Sequence, residues 1–219
     1  MNKISPSVMC IDMLDLENQL KYLDEAGVDL YHIDVMDGHY VPNFALSTYT
    51  MQDIARVSKT PMDVHLMVTN PTEYIETFAA AGAEIITLHI ETLTHPVRAL
   101  KQIRALGKKA GVAISPATDI SCLEFILDFV DLVCVMTVDP GFAGQTLIPS
   151  TVAKITEIRE MFKAAGKDVD IMVDGQVKEE TAETLVRAGA NVLVLGSSGL
   201  FKYAPSEYKS VIDHYKNIK

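Results

Sequence analysis

His32 and Asp34 stand two apart in the run Tyr31-His32-Ile33-Asp34-Val35-Met36. On a strand, residues i and i+2 face the same side, about 6.6 Å apart along the chain. An imidazole and a carboxylate would thus converge on one inward face. His65, in Asp63-Val64-His65-Leu66-Met67, and Asp174, after Ile171-Met172-Val173, can supply a second imidazole and a second carboxylate. Four N/O donors of this kind suit one divalent ion: zinc first, with manganese, cobalt or iron on the same ligands. Asp63 shares a face with His65 but lies lower, in a packing or ligand-supporting place. His89 ends another apolar run, as a support or a substrate contact. His39 lies in the turn-rich Asp37-Gly38-His39-Tyr40-Val41-Pro42-Asn43, while His95 and His214 fit solvated helix faces.

A second set is anionic in its target. Gly141-Phe142-Ala143-Gly144-Gln145, Asp174-Gly175-Gln176 and Gly196-Ser197-Ser198-Gly199 each follow an apolar run. One such loop is only a tight turn, but three on neighbouring strands can aim backbone N–H groups at a phosphate. Met36, Met67 and Met136 stand at or just past strand ends. Beside a metal they would form an apolar collar, whose low dielectric strengthens the hold on an oxyanion.

These residues need a scaffold that gathers strand ends. Ala26-Gly27, Ala81-Gly82, Leu106-Gly107, Ala165-Gly166 and Ala188-Gly189 each close an amphipathic stretch and precede an apolar run. Glycine there is the usual residue just past a helix, because it takes the left-handed conformation without a Cβ penalty. The glycines lie 55, 25, 59 and 23 residues apart, single and double units of one strand–helix period. The predicted strands are Ile4–Met9, Leu30–Val35, Met62–Met67, Ile85–His89, Lys109–Ile114, Leu132–Met136, Asp170–Val173 and Val192–Leu195. Helical spacing joins Leu16, Leu20 and Leu23, and again Ile155, Ile158 and Phe162. Continuously apolar strands alternating with helices make a parallel sheet covered by helices. Eight units predict an α/β fold, a single-domain (β/α)8 TIM barrel over residues 1–219. An open doubly wound sheet is the alternative, but no G-x-G-x-x-G follows the first strand. A barrel places function at the C-terminal ends of its strands, where Ser7 and all four donors fall.

Composition narrows the class. Of 219 residues 48% are hydrophobic and 22% charged, and 29 acidic against 19 basic residues leave a net charge of −10. That disfavours nucleic-acid and anionic-membrane surfaces, which need clustered positive charge. An anionic small substrate remains open if backbone amides hold it. No apolar stretch of about 18 residues can span a membrane. Met1-Asn2-Lys3-Ile4-Ser5-Pro6 has no apolar run of a secretion signal behind it. Cys10, Cys122 and Cys134 are odd in number and far apart, which fits a reducing, cytoplasmic setting rather than a disulfide frame. Cys134, in Leu132-Val133-Cys134-Val135-Met136, reads as a small buried hydrophobe.

The segments from His32 to Asn43, Asp63 to Val68, Met136 to Gln145 and Val173 to Gly175 resemble, in order, the signatures of the ribulose-phosphate 3-epimerase family. The resemblance runs from Ser5-Pro6-Ser7 to Gly196-Ser197-Ser198. It implies a TIM barrel with a divalent metal on His32, Asp34, His65 and Asp174. It also implies that Asp34 and Asp174 are the acid/base pair, epimerising C3 of a ketose phosphate through a metal-stabilised enediolate. Ser7, His65, Met36, Met67 and Met136 would then face the sugar. Gly141, Phe142, Ala143, Gly144, Gly175, Gln176, Gly196, Ser197 and Ser198 would hold the phosphate. The family's members imply a homo-oligomer.

Two branches act on D-ribulose 5-phosphate and D-allulose 6-phosphate. Gly141-Phe142-Ala143-Gly144-Gln145, Ser198-Gly199-Leu200-Phe201 and Asp37-Gly38-His39 are more similar to the second, so the expected substrate is D-allulose 6-phosphate, with D-ribulose 5-phosphate as the alternative. Gln176, Ile90, Ser115 and Met172 depart from the family pattern, and none is a proposed ligand or base. A decarboxylase on this scaffold would need an inward lysine at a strand end, and none is present. A sugar-phosphate-binding barrel without turnover is the alternative of another class.

Overall fold

Strand residues sort by parity, and that sorting builds the barrel. A computed structural model describes residues 1–219. Its strands are β1 (Lys3–Pro6), β2 (Tyr31–Met36), β3 (Met62–Met67), β4 (Ala83–His89), β5 (Lys109–Ile114), β6 (Leu132–Met136), β7 (Asp170–Asp174) and β8 (Val192–Leu195). Ile33, Val64, Leu66, Ile86, Leu88, Val112, Val133, Ile171 and Leu193 belong to the outer core, packed under the helices. Residues of the other parity turn inward. On β5, β6, β7 and β8 these are Ala113, Leu132, Cys134, Met136, Met172, Val192 and Val194, which form an apolar plug with Leu30 and Ile85. On β2, β3 and β4 they are His32, Asp34, Asp63, His65, Thr87 and His89, all buried. The barrel interior is therefore apolar on one side and polar on the other. Met172 sits in the apolar side, fully buried.

All strands pair in parallel, in the order β1-β8-β7-β6-β5-β4-β3-β2. The ring closes through one parallel bridge between Ser7 and His32, at the rim where the chemistry was expected. β1 ends at Pro6, earlier than the predicted Met9, because Val8–Cys10 forms a 3₁₀ turn. β7 runs one residue further than predicted and takes in Asp174.

The helices are α1 (Leu16–Ala26), α2 (Thr48–Val57), α3 (Ile75–Ala80), α4 (Pro96–Ala105), α5 (Ser150–Ala164), α6 (Glu179–Arg187) and α7 (Tyr208–Lys216). Gly27 stops α1 in the left-handed region at φ 77°. The expected repeat breaks once: β5 and β6 are joined by two 3₁₀ turns, Ile120–Leu123 and Leu127–Phe129, instead of an α-helix. Asp119 caps the first of these turns, accepting from the Ser121 N–H. No helix is long and apolar enough to cross a membrane.

At the opposite end of the barrel from the site, three hydroxyls converge on one carboxylate oxygen. Asp24 Oδ1 lies 2.7 Å from Tyr31 Oη, 2.8 Å from Ser58 Oγ and 2.7 Å from Thr60 Oγ1. This ties α1 to β2 and to the loop before β3. Asp24→Ala should cost roughly 2–3 kcal/mol in denaturant unfolding, since the fully buried Tyr31 loses its carboxylate partner. An unchanged midpoint would show the cluster to be inconsequential.

Candidate active site

Four donors meet where β2, β3 and β7 end. One ligand atom from each of His32, Asp34, His65 and Asp174 lies within 4.8 Å of the others. His32 Nε2 is 3.2 Å from His65 Nδ1 and 3.4 Å from Asp34 Oδ1. Asp174 Oδ2 is 3.7 Å from both imidazole nitrogens. Three of these side chains are buried, and Asp174 remains 17% exposed toward the mouth.

Three of the four are held from behind. His32 Nδ1 lies 2.9 Å from Asp63 Oδ2, whose other oxygen accepts from Thr87 Oγ1 at 2.7 Å. Ser7 Oγ donates to Asp34 Oδ2 at 2.6 Å. His65 Nε2 is 2.9 Å from His89 Nε2. The outer atoms are thus occupied, and the inner atoms face only one another.

Two carboxylates in a buried pocket call for positive charge. Burial would push the Asp34 carboxyl up, but the charge and hydrogen bonds of His32 and His65 outweigh it and hold Asp34 well below the usual carboxylate range. Burial disfavours a charged His32, yet Asp34, Asp174 and Asp63 together raise its pKa well above that of ordinary histidine. The cluster therefore draws either a proton or a cation to its centre. Two imidazoles and two carboxylates, each with an inward atom, fit a divalent ion.

Above the cluster opens a cleft. Its lining includes Ser7, Asp34, Asp174, the collar of Met36, Met67 and Met136, and all three glycine loops. Every residue expected to face sugar or phosphate lies on this cleft except His65, which sits buried beneath it. The loops are braced from several sides. Asn43 Nδ2 donates to the Gly141 carbonyl at 2.8 Å, tying the loop after β2 to the loop after β6. Gln145 Nε2 donates to the carbonyls of Asp139 (2.6 Å) and Phe142 (2.9 Å). Gly175 takes φ 109°, and a Cβ there would meet Val138 Cγ1 at 3.0 Å, so this turn requires glycine. Gln176 follows at φ 51°, the one non-glycine residue of the chain in the left-handed region, and Ser198 Oγ donates to its Oε1 at 3.2 Å. That contact links the β7 and β8 loops across one end of the cleft.

Several residues on the cleft carried no signal in the sequence. Met9 and Cys10 reach it because the 3₁₀ turn after β1 folds them over the rim. Val138, Val177 and Val194 line it as ordinary apolar residues. Tyr40, off the cleft lining, comes to the site's support instead: its Oη lies 2.9 Å from His89 Nδ1. His39, His95 and His214 are exposed and stand apart from the cluster.

The chain matches the profile of the Ribulose-phosphate 3 epimerase family over residues 3–201. It is 42% identical over 220 residues to a protein of Bacillus subtilis named ribulose-phosphate 3-epimerase, covering all of both chains. It is 39% identical over 215 residues to one of the same name from Escherichia coli K12, covering 98% of this chain and 94% of that protein. Among solved structures it superposes on 3-hexulose-6-phosphate synthase with a TM-score of 0.71 at 16% identity, over 97% of this chain and 99% of the other. That last likeness is one of fold alone.

Proposed function

Because the chain belongs to the ribulose-phosphate 3-epimerase family, a group of carbohydrate-phosphate 3-epimerases acting at C3 of a ketose phosphate, we propose that its own substrate is D-ribulose 5-phosphate. The motifs that favoured D-allulose 6-phosphate are three short loop segments. The relatives at 39–44% identity carry the ribulose-phosphate name along nearly the whole chain, and they outweigh those segments.

The observation that carries the mechanism is the pair of carboxylates reaching one cluster from β2 and β7 under a phosphate cradle. A ketose lying across the cluster has Asp34 toward one face and Asp174 toward the other. One aspartate takes the C3 proton, and the other returns a proton to the opposite face. His32, Asp34, His65 and Asp174 would hold the metal, with zinc the best match to this donor set. When bound, that ion supplies Lewis-acid stabilisation of the negative charge developing on the substrate oxygens and keeps both aspartates ionised. Ser7 orients Asp34 through its hydroxyl. The methionine collar keeps water from the reacting carbon, and the backbone N–H groups of the glycine loops take the phosphate, reconciling an anionic substrate with a net charge of −10.

Proton NMR in deuterated water reads this directly. With zinc-loaded protein, C3–H of D-ribulose 5-phosphate should exchange with formation of the epimer, faster than that of D-allulose 6-phosphate. A chelator should stop both. Faster exchange of the allulose compound would reverse the substrate assignment and leave the chemistry standing. Unaltered rates after verified metal removal would remove the metal from the mechanism.

A further inference from the structure

His65 can serve the cluster only with the right tautomer. Its Nδ1 faces His32, Asp34 and Asp174, while its Nε2 lies 2.9 Å from Nε2 of His89. Two imidazole nitrogens at that distance need one N–H and one lone pair. What decides between them lies on the far side of His89. His89 Nδ1 is 3.1 Å from Glu91 Oε2, and a carboxylate can only accept. Tyr40 Oη at 2.9 Å and Ser115 Oγ at 3.4 Å complete the surroundings of that nitrogen.

Glu91 is itself held in place. Its Oε1 accepts from the Ser115 N–H at 2.8 Å and from Thr118 Oγ1 at 2.5 Å. The loop carrying both is clamped by Lys154 of α5, whose ammonium donates to the carbonyls of Ser115 (2.9 Å), Pro116 (2.7 Å) and Thr118 (2.7 Å). With one N–H on the ring, given to Glu91 through Nδ1, His89 keeps a lone pair at Nε2 for His65. Burial opposes ionisation of Glu91, but hydrogen bonds from His89, Thr118 and Ser115 bring it down to about 2.

We infer that Glu91, acting through His89, is a positioning residue that turns the Nδ1 lone pair of His65 into the metal site. The carboxylate claims the Nδ1 proton of His89. The Nε2 lone pair of His89 then accepts the Nε2 proton of His65, and His65 is left with a bare Nδ1 facing the centre. Asp63 does the same for His32 in one step, through the contact at 2.9 Å. The two imidazoles are thus oriented by two separate carboxylates, one direct and one relayed. This inference rests on the metal reading given above for its purpose, though not for its first test.

Long-range proton–nitrogen NMR on the histidine rings of the metal-free wild-type protein gives that first test. His65 should carry its proton on Nε2, and His89 on Nδ1. A proton on Nε2 of His89 overturns the inference whatever the protein binds. The second test is zinc affinity, measured by calorimetry against a competing chelator. Glu91→Ala should weaken it by roughly 10- to 100-fold, the usual cost of losing a ligand's support. Glu91→Gln, which keeps an acceptor oxygen, should restore most of the loss. In Glu91→Ala both tautomers of His65 should appear. Unchanged zinc affinity and an unchanged His65 ring in that variant would refute the relay. A wild-type protein that binds no divalent ion would defeat the metal reading, while the ring protons would still decide the relay.

Discussion

Asp174→Asn should lower epimerisation by about a thousandfold, within the range set by loss of a positioned acid or base. More telling is what survives. Asp34 remains, held by Ser7 at 2.6 Å, so the epimer whose C3 proton faces Asp34 should still exchange that proton with deuterated water. It should do so without inversion, because nothing delivers a proton to the opposite face. The other epimer should neither exchange nor convert. Asp34→Asn should show the mirror image, with the exchanging epimer switched. Asparagine keeps one oxygen toward the cluster, and zinc content measured on each variant separates a lost base from a lost ion. Unimpaired epimerisation by zinc-loaded Asp174→Asn would sink the two-base assignment.

Gly111→Ala should destabilise the fold by about 2–3 kcal/mol, through overpacking inside the barrel. Gly111 pairs with Thr87 in the register of β4 and β5. A Cβ at 111 would stand 2.9 Å from Thr87 Cβ and 3.0 Å from its Cα, with Oγ1 closer still. The Cα belongs to the paired strand and cannot swing away as a side chain can. Thr87 would also be driven from Asp63, which it donates to at 2.7 Å, leaving a buried carboxylate oxygen short of a donor. Because Asp63 orients His32, the damage should reach the cluster. Denaturant midpoints measure the stability loss, and zinc affinity measures its transmission. Combining Gly111→Ala with Thr87→Ala should cost less than the two single losses added, since the second removes Oγ1, the nearest of the atoms that the first strikes. An unchanged midpoint for Gly111→Ala would show that this layer of the barrel has room to spare.

Much of the site was legible in the chain because strand parity is a local property. His32 and Asp34 must share a face once Tyr31–Met36 is a strand, and the same holds for Asp63, His65 and Met67 on β3. Glycines after amphipathic stretches mark helix ends for an equally local reason, the left-handed backbone. From these followed the barrel, the strand ends and the four donors. The break in the repeat after β5 was less legible, since its two 3₁₀ turns carry the same apolar residues that a short helix would.

Other features depend on distances between residues far apart in the chain, and no local pattern encodes them. Which nitrogen of His65 faces inward depends on His89, and which nitrogen of His89 is protonated depends on Glu91 and the loop after β5. Tyr40 and Cys10 come to the site only because loops after two different strands fold over the rim. The contact between Gln176 and Ser198, which joins the loops after β7 and β8, is of the same kind. Residue types and their period determine which groups line the barrel. Closure of the ring, joined at Ser7 and His32, decides which of their atoms meet.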